Sequence, residues 1–111
     1  MNDVTKALLD GLSNLRRRGL AKDHLCDDQG RVCARGALLN AKNGQYWHLT
    51  STHAQIEADK ILCAVAAEQY PDRIRAGSDH LSVVLNNHPR TTQEDVERVF
   101  EKAIARSEEI I

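Results

Sequence analysis

The sequence predicts a compact, mainly α-helical bundle of four to five helices. Three observations carry that expectation. Apolar residues recur at helical spacing in three separate stretches, and each of these opens on a capping residue and closes on a stop signal. Only four of the 111 residues are aromatic, whereas alanine and leucine are plentiful, which favours helix over strand. A chain of this length is the usual size of one domain with one core, so residues 1–111 are read as a single helical domain.

The first helix is predicted from Asn2 or Asp3, as cap, to about Arg18. Val4, Leu8, Leu12 and Leu15 form one stripe, and Gly11 weakens its middle. Arg16, Arg17 and Arg18 sit in the last turn, where positive charge suits the helix dipole, and Gly19 is a natural stop. Around residues 24–33 the pattern changes: Asp27-Asp28-Gln29-Gly30 is a turn signal, consistent with a short hairpin or a hydrogen-bonded loop packed on the helices. A short helix is expected from about Val32 to Lys42, ending before Gly44, with Gly36 inside it where another backbone comes close.

Tyr46-Trp47-His48-Leu49 reads as a loop. Thr50, Ser51 or Thr52 then caps the longest helix, reaching about Tyr70, with Ala54, Ala58, Ile61, Leu62, Val65 and Ala66 on one face and Pro71 ending it. One helical turn is expected near Ile74. The run Leu81–Leu85 fits a short helix starting at Ser78-Asp79 or a strand, because five residues do not separate the two periods. Asn86-Asn87-His88-Pro89 is read as a break. Thr91 and Glu94 are spaced as a capping box for the last helix, which carries Val96, Val99, Phe100, Ala103 and Ile104.

Charge is uneven along the chain. Residues 1–50 hold eight Lys/Arg against five Asp/Glu, and residues 51–111 hold seven against eleven, which fits either an acidic partner or, as the preferred reading, two halves that attract each other in the fold. Met1-Asn2-Asp3-Val4 does not resemble a signal peptide, and no apolar run is long enough to span a bilayer; a cytoplasmic, non-membrane protein is expected. The three cysteines, Cys26, Cys33 and Cys63, fit thiols in a reducing compartment.

The stretch Asp28-Gln29-Gly30-Arg31-Val32-Cys33-Ala34-Arg35-Gly36-Ala37-Leu38 resembles the D-x-x-G-R-x-C-A-x-G-A-L pattern of an uncharacterised family of small actinobacterial and actinobacteriophage proteins. Asn86-Asn87-His88-Pro89-Arg90-Thr91-Thr92-Gln93-Glu94-Asp95-Val96 resembles that family's N-D-x-P-G-R-T-x-x-x-V segment, with Asn87 in place of the acidic residue and no glycine before the arginine. The resemblance implies a mainly helical fold and an actinobacterial or phage origin. It implies no activity.

Among residues able to carry chemistry, His24, Cys26 and Cys33, with His48, His53 or Cys63, are the zinc-type donors; their Cys-x6-Cys spacing is too open for a metal signature, and buried core thiols are the reading preferred. No cofactor is expected. Cys26 or Cys33 beside Arg31, Arg35 and His24 could form a nucleophile, but no orienting third residue is legible. Arg16, Arg17, Arg18, Lys22, Arg31 and Arg35 could meet nucleic-acid phosphates, against which stands a sequence pI near 6.5. Trp47, beside Tyr46, is a candidate anchor for a protein partner, and Ile110 and Ile111 end the chain as apolar residues. The function expected is that of a non-enzymatic accessory protein binding a protein, a host factor or a second copy of itself. A nucleic-acid-associated regulator is the second reading.

Overall fold

The computed structural model describes residues 2–43, 50–74 and 81–109, with side chains from Val84 onward in the last stretch. The all-α expectation holds. The helices are α1 (Asp3–Arg18), α2 (Ala34–Leu39), α3 (His53–Gln69), α4 (Leu81–Asn87) and α5 (Gln93–Glu109), with a 3-10 turn at Pro71–Arg73. Helix α1 packs on α5, α2 and α3, and α3 in turn packs on α5 and α4. The core between them holds Leu8, Leu12, Leu15, Leu62, Val65 and Phe100.

Each boundary has a local cause. Asn2 caps α1 by accepting the Thr5 N–H at 2.7 Å. Gly19 ends it at φ 88°, returning its N–H to Leu15 O. At the other end of the bundle, Ser107 hydroxyl donates to Ile104 O and accepts from Thr5 hydroxyl at 2.6 Å, so a buried polar pair pins the start of α1 to the end of α5. Gly11 does more than weaken its helix. A Cβ there would lie 2.8 Å from Phe100 Cε1 and 3.2 Å from Leu38 Cα, so the missing side chain lets α1, α5 and α2 converge.

Between α1 and α2 the hairpin alternative gives way to the loop. Val32 makes isolated bridges to both Leu20 and Cys26, and no ladder forms among the described residues. The turn is held by Asp27, whose carboxylate accepts from the Gln29 and Arg31 N–H groups and from the Arg31 guanidinium. The sequence-based α2 is too long at both ends. Val32 is drawn into the bridges, and Cys33 is the cap, its sulfur accepting the Gly36 N–H at 3.3 Å. The helix stops at Asn40, left-handed at φ 53°, before it reaches Gly44. The close backbone approach at Gly36 is confirmed: a Cβ there would sit 1.8 Å from Leu25 O.

Thr52 is the cap of α3, in a reciprocal box with Gln55. The extra turn falls at Pro71–Arg73 and precedes Ile74. Leu81–Leu85 is helical, so the strand alternative falls away, and Asn86 and Asn87 extend that helix instead of breaking it; the break comes at His88. The box opening α5 is shifted by one residue. Thr92 hydroxyl accepts from Asp95 N–H while the Asp95 carboxylate accepts from Thr92 N–H. Thr91 and Glu94 do not form it, because Thr91 is buried and turned towards Arg73. The readings placed on Gly44, Tyr46, Trp47, His48, Ser78-Asp79, Ile110 and Ile111 lie outside the described residues.

Asn86 ties these parts together. It is fully buried, accepts the Ala34 N–H at the start of α2 at 2.9 Å, and donates to Ala21 O at 2.8 Å. Three further bonds seat the Leu20–Cys33 segment on the same junction: Leu20 N–H to Gln93, Asp23 N–H to Asn87, and Lys22 to His88 O.

Replacing Asn86 by alanine strands a buried N–H and a buried C=O, and urea denaturation is expected to show a loss of about 3 kcal/mol. Gly36→Ala pushes a methyl into the Leu25 carbonyl, a backbone atom with little room to move. A loss of at least about 3 kcal/mol is expected, well beyond that of Gly11→Ala, which meets a ring edge. Near-native stability of either Asn86→Ala or Gly36→Ala would show that these contacts do not hold the junction.

Acid sensitivity follows from the carboxylates. At Asp95, burial pushes the carboxyl up, but the Thr92 N–H and the Arg73 guanidinium outweigh it and hold it below its ordinary value. At Glu68 the Arg106 guanidinium has the same effect. A carboxyl lowered on folding stabilises the fold above its unfolded value and ceases to as pH falls through the folded one. The urea midpoint is therefore expected to fall on acidification through and below the ordinary carboxylate range, and Asp95→Asn to flatten that dependence. An unchanged slope in Asp95→Asn would remove Asp95 from the account.

Candidate functional site

The five described interaction candidates, all arginines, do not converge on one surface. Arg16 leaves α1 towards α5, its Nε 2.7 Å from Glu97 and its Nη2 2.8 Å from Glu101. Arg17 donates to Asn14 on its own helix. Arg18 turns the other way, into the loop, donating to Gly30 O, Ala41 O, the Asn40 side chain and the Cys26 sulfur. Arg31 is committed to Asp27 at 2.7 Å, and Lys22 to the His88 carbonyl. Arg35 stands apart from these, on the rim of a groove between α2 and α3. Trp47 lies outside the described residues.

The two buried cysteines likewise have local contacts. Cys33 caps α2 and is buried, and burial pushes its thiol up, against the direction a nucleophile needs. Cys26 is buried under Arg18. Among the described residues no group of three or more His, Cys, Asp or Glu side chains is placed to hold a metal ion, so His24, Cys26 and Cys33 do not form a ligand set with one another or with His53 or Cys63.

Among the described residues an open depression of about 530 Å³ runs along α1, lined by Leu9, Leu12, Ser13, Arg16 and Arg17, and two further concave regions lie elsewhere. The first is a cleft of about 570 Å³ beside the 3-10 turn and the end of α4, where Asp23, Asp72, Arg73, Asn87 and His88 stand among apolar Ile74, Val84 and Pro89. Its charges are largely settled within the chain: Arg73 pairs with Asp95 at 2.9 Å and stacks on Tyr70, while Asp72 meets Arg90 at 3.4 Å.

The second is the α2–α3 groove, of about 390 Å³, lined by Leu38, Leu39, Ile56 and Cys63 with Arg35, Gln55, Asp59 and Lys60 around them. Its walls are set by the caps already described. The Cys33 and Asn40 caps fix the length of α2, and Gln55 of the α3 box reaches across to Leu38 O at 3.4 Å. Ile56 is 46% exposed and is the one large hydrophobic residue so exposed among the described residues. The outer faces of α1 and α5, by contrast, carry Arg16, Arg17, Glu94, Arg98, Glu101 and Lys102. A groove with an apolar floor and a mixed-charge rim suits an apolar side chain of another protein better than a charged small molecule.

Sequence reading passed over Ile56 and Leu39. The available signal was positional: Ile56 lies off the stripe of Ala58, Leu62, Val65 and Ala66, so burying that stripe turns it outward.

No curated protein and no solved structure matches the chain. One family model does, over residues 1–106, nearly the whole length. The chain belongs to the family of unknown function DUF6197.

Proposed function

We propose that this protein is a non-enzymatic binding module, working in the bacterial cytoplasm, that docks a protein partner on the α2–α3 face. The observation that carries the reading is the outward placement of Ile56 over Leu38, Leu39 and Cys63, on a fold whose other long helices turn charge outward. Binding is favoured over thiol catalysis because both buried cysteines already have structural partners. It is favoured over nucleic-acid contact because Arg16, Arg18 and Arg31 are directed to different parts of the fold, towards α5, the Gly30 carbonyl and Asp27, and do not converge on one face. The pattern resemblance around Cys33 and Thr91 points to an actinobacterial or actinobacteriophage source, and in that setting the partner is a host factor or a second copy.

Affinity capture from a host lysate tests the docking face. Ile56→Asp, a change at an exposed position, is expected to abolish enrichment of a specific protein, and Arg17→Ala to leave it intact. Equal enrichment with Ile56→Asp, together with a shift of DNA or RNA at about 50 mM salt that fades as salt rises, would replace this reading with the nucleic-acid one.

A further inference from the structure

The cleft beside the 3-10 turn shares no lining residue with the α2–α3 groove, and two of its polar groups lack a counterpart in the fold. The first is on Arg73. Its Nη1 donates to Asp95 at 2.9 Å and Thr91 at 3.4 Å, but its Nε is buried with no hydrogen-bond partner. A buried N–H without an acceptor is rare in a native fold, so its position calls for a cause. Asp95 does not cancel the charge either. Arg98 shares that carboxylate at 3.2 Å, so two guanidinium groups face one carboxylate and one positive charge is left over.

The second is the Asp23 carboxylate. It is exposed, and among the described residues no ion pair or hydrogen bond reaches it. Its backbone, by contrast, is held. Asp23 N–H donates to Asn87 at 2.8 Å, in a left-handed conformation at φ 64° that is costly for an L-residue. The neighbouring Lys22 ammonium is turned to the His88 carbonyl, and the other carboxylate of the cleft, Asp72, meets Arg90.

One cleft of about 570 Å³ therefore holds a guanidinium edge short of an acceptor and a carboxylate short of a cation, with Ile74, Val84 and Pro89 as its apolar wall. That volume is in the range that small ligands fill. The Nε and one Nη of a guanidinium form a planar fork that takes a carboxylate side-on. A lone anion is repelled by Asp23, and a lone cation by Arg73. The ligand that meets both carries an anion and a cation on one small skeleton, with carbon for the wall.

We propose that this cleft binds a free α-amino acid with an aliphatic side chain. Its carboxylate lies on the Arg73 edge, its ammonium on Asp23, and its side chain against Ile74, Val84 and Pro89.

Calorimetric titration of the full chain with L-leucine tests the site. A Kd of about 0.1 to 1 mM is expected for a ligand this small. N-acetyl-leucine lacks the ammonium and leucinamide lacks the carboxylate, and each is expected to bind at least about tenfold more weakly. Asn tolerates the left-handed backbone, so Asp23→Asn removes the charge alone; a loss of about tenfold is expected, with unchanged helicity by circular dichroism. Arg73→Lys keeps the charge but removes the fork, and a similar loss is expected. Should Arg73→Lys not fold, leucinamide against leucine reads the carboxylate end without a substitution. In amide NMR spectra, leucine is expected to shift Asn87 and His88 and to leave Ile56 in place, which separates this site from the docking face. No heat and no shift up to about 10 mM leucine overturns the proposal. Equal binding of N-acetyl-leucine or of leucinamide overturns it as well, and so does undiminished leucine binding by Asp23→Asn or by folded Arg73→Lys, or a shift confined to the α2–α3 groove.

Discussion

Asn86 is the residue through which an irregular segment becomes part of a helical bundle. The stretch from Leu20 to Cys33 has no helix of its own, and its backbone polar groups must find partners or stay wet. Internal bonds meet some of that need through Val32 and Asp27. The rest is met from outside, by a side-chain amide that offers one acceptor and two donors at a point where α2 begins and α4 ends. Because the amide is completely buried, each bond is made where a missing partner is most costly. The segments around Cys33 and around Pro89, far apart in sequence, meet at this one side chain.

That junction also sets what the surface has to offer. Leu25, held by its carbonyl to Cys33 N–H, lies against Gly36 so closely that α2 has no freedom to shift along its axis. A short helix fixed at both ends presents Leu38 and Leu39 at one place beside α3. The buried stripe of α3 faces α1 and α5, so Ile56, which lies off that stripe, is turned outward. An apolar side chain half in water on a small domain is ordinary when single. Here it shares a groove with two leucines and a cysteine, and that shared apolar floor is what gives the α2–α3 face its claim to a partner.

Much of the fold was legible because the signals were local. Asn2, Gly19, Thr52 and Pro71 mark helix ends through chemistry that acts over three or four residues, and each sits at the end it marks. Errors arose where a residue had a better offer from far away. Thr91 is spaced to cap α5, but burial against Arg73 turns it inward and the cap passes to Thr92. Val32 looks like the first residue of a helix, yet its backbone groups bond Gly19 and Ala21. Asn86-Asn87 reads as a break by propensity, and tertiary hydrogen bonds override it. The candidate groove was legible only in part: the offset of Ile56 from the buried stripe of α3 was a positional signal, but the placing of α2 beside it is written in no periodicity.

The arginines illustrate the same limit in reverse. Three in succession look like a positive patch on paper, but successive residues on a helix point about 100° apart, so a run of three spreads across about 200° of its circumference. Arg16 is thereby delivered to the acidic face of α5 and Arg18 to the carbonyls and sulfur of the loop, on opposite sides of α1. A helical run of three arginines can hold three different things together, and here it joins the basic half of the chain to the acidic half on one side and closes the Cys26 loop on the other. Phosphate recognition needs cations that converge on one face, and helical geometry sends this run in divergent directions.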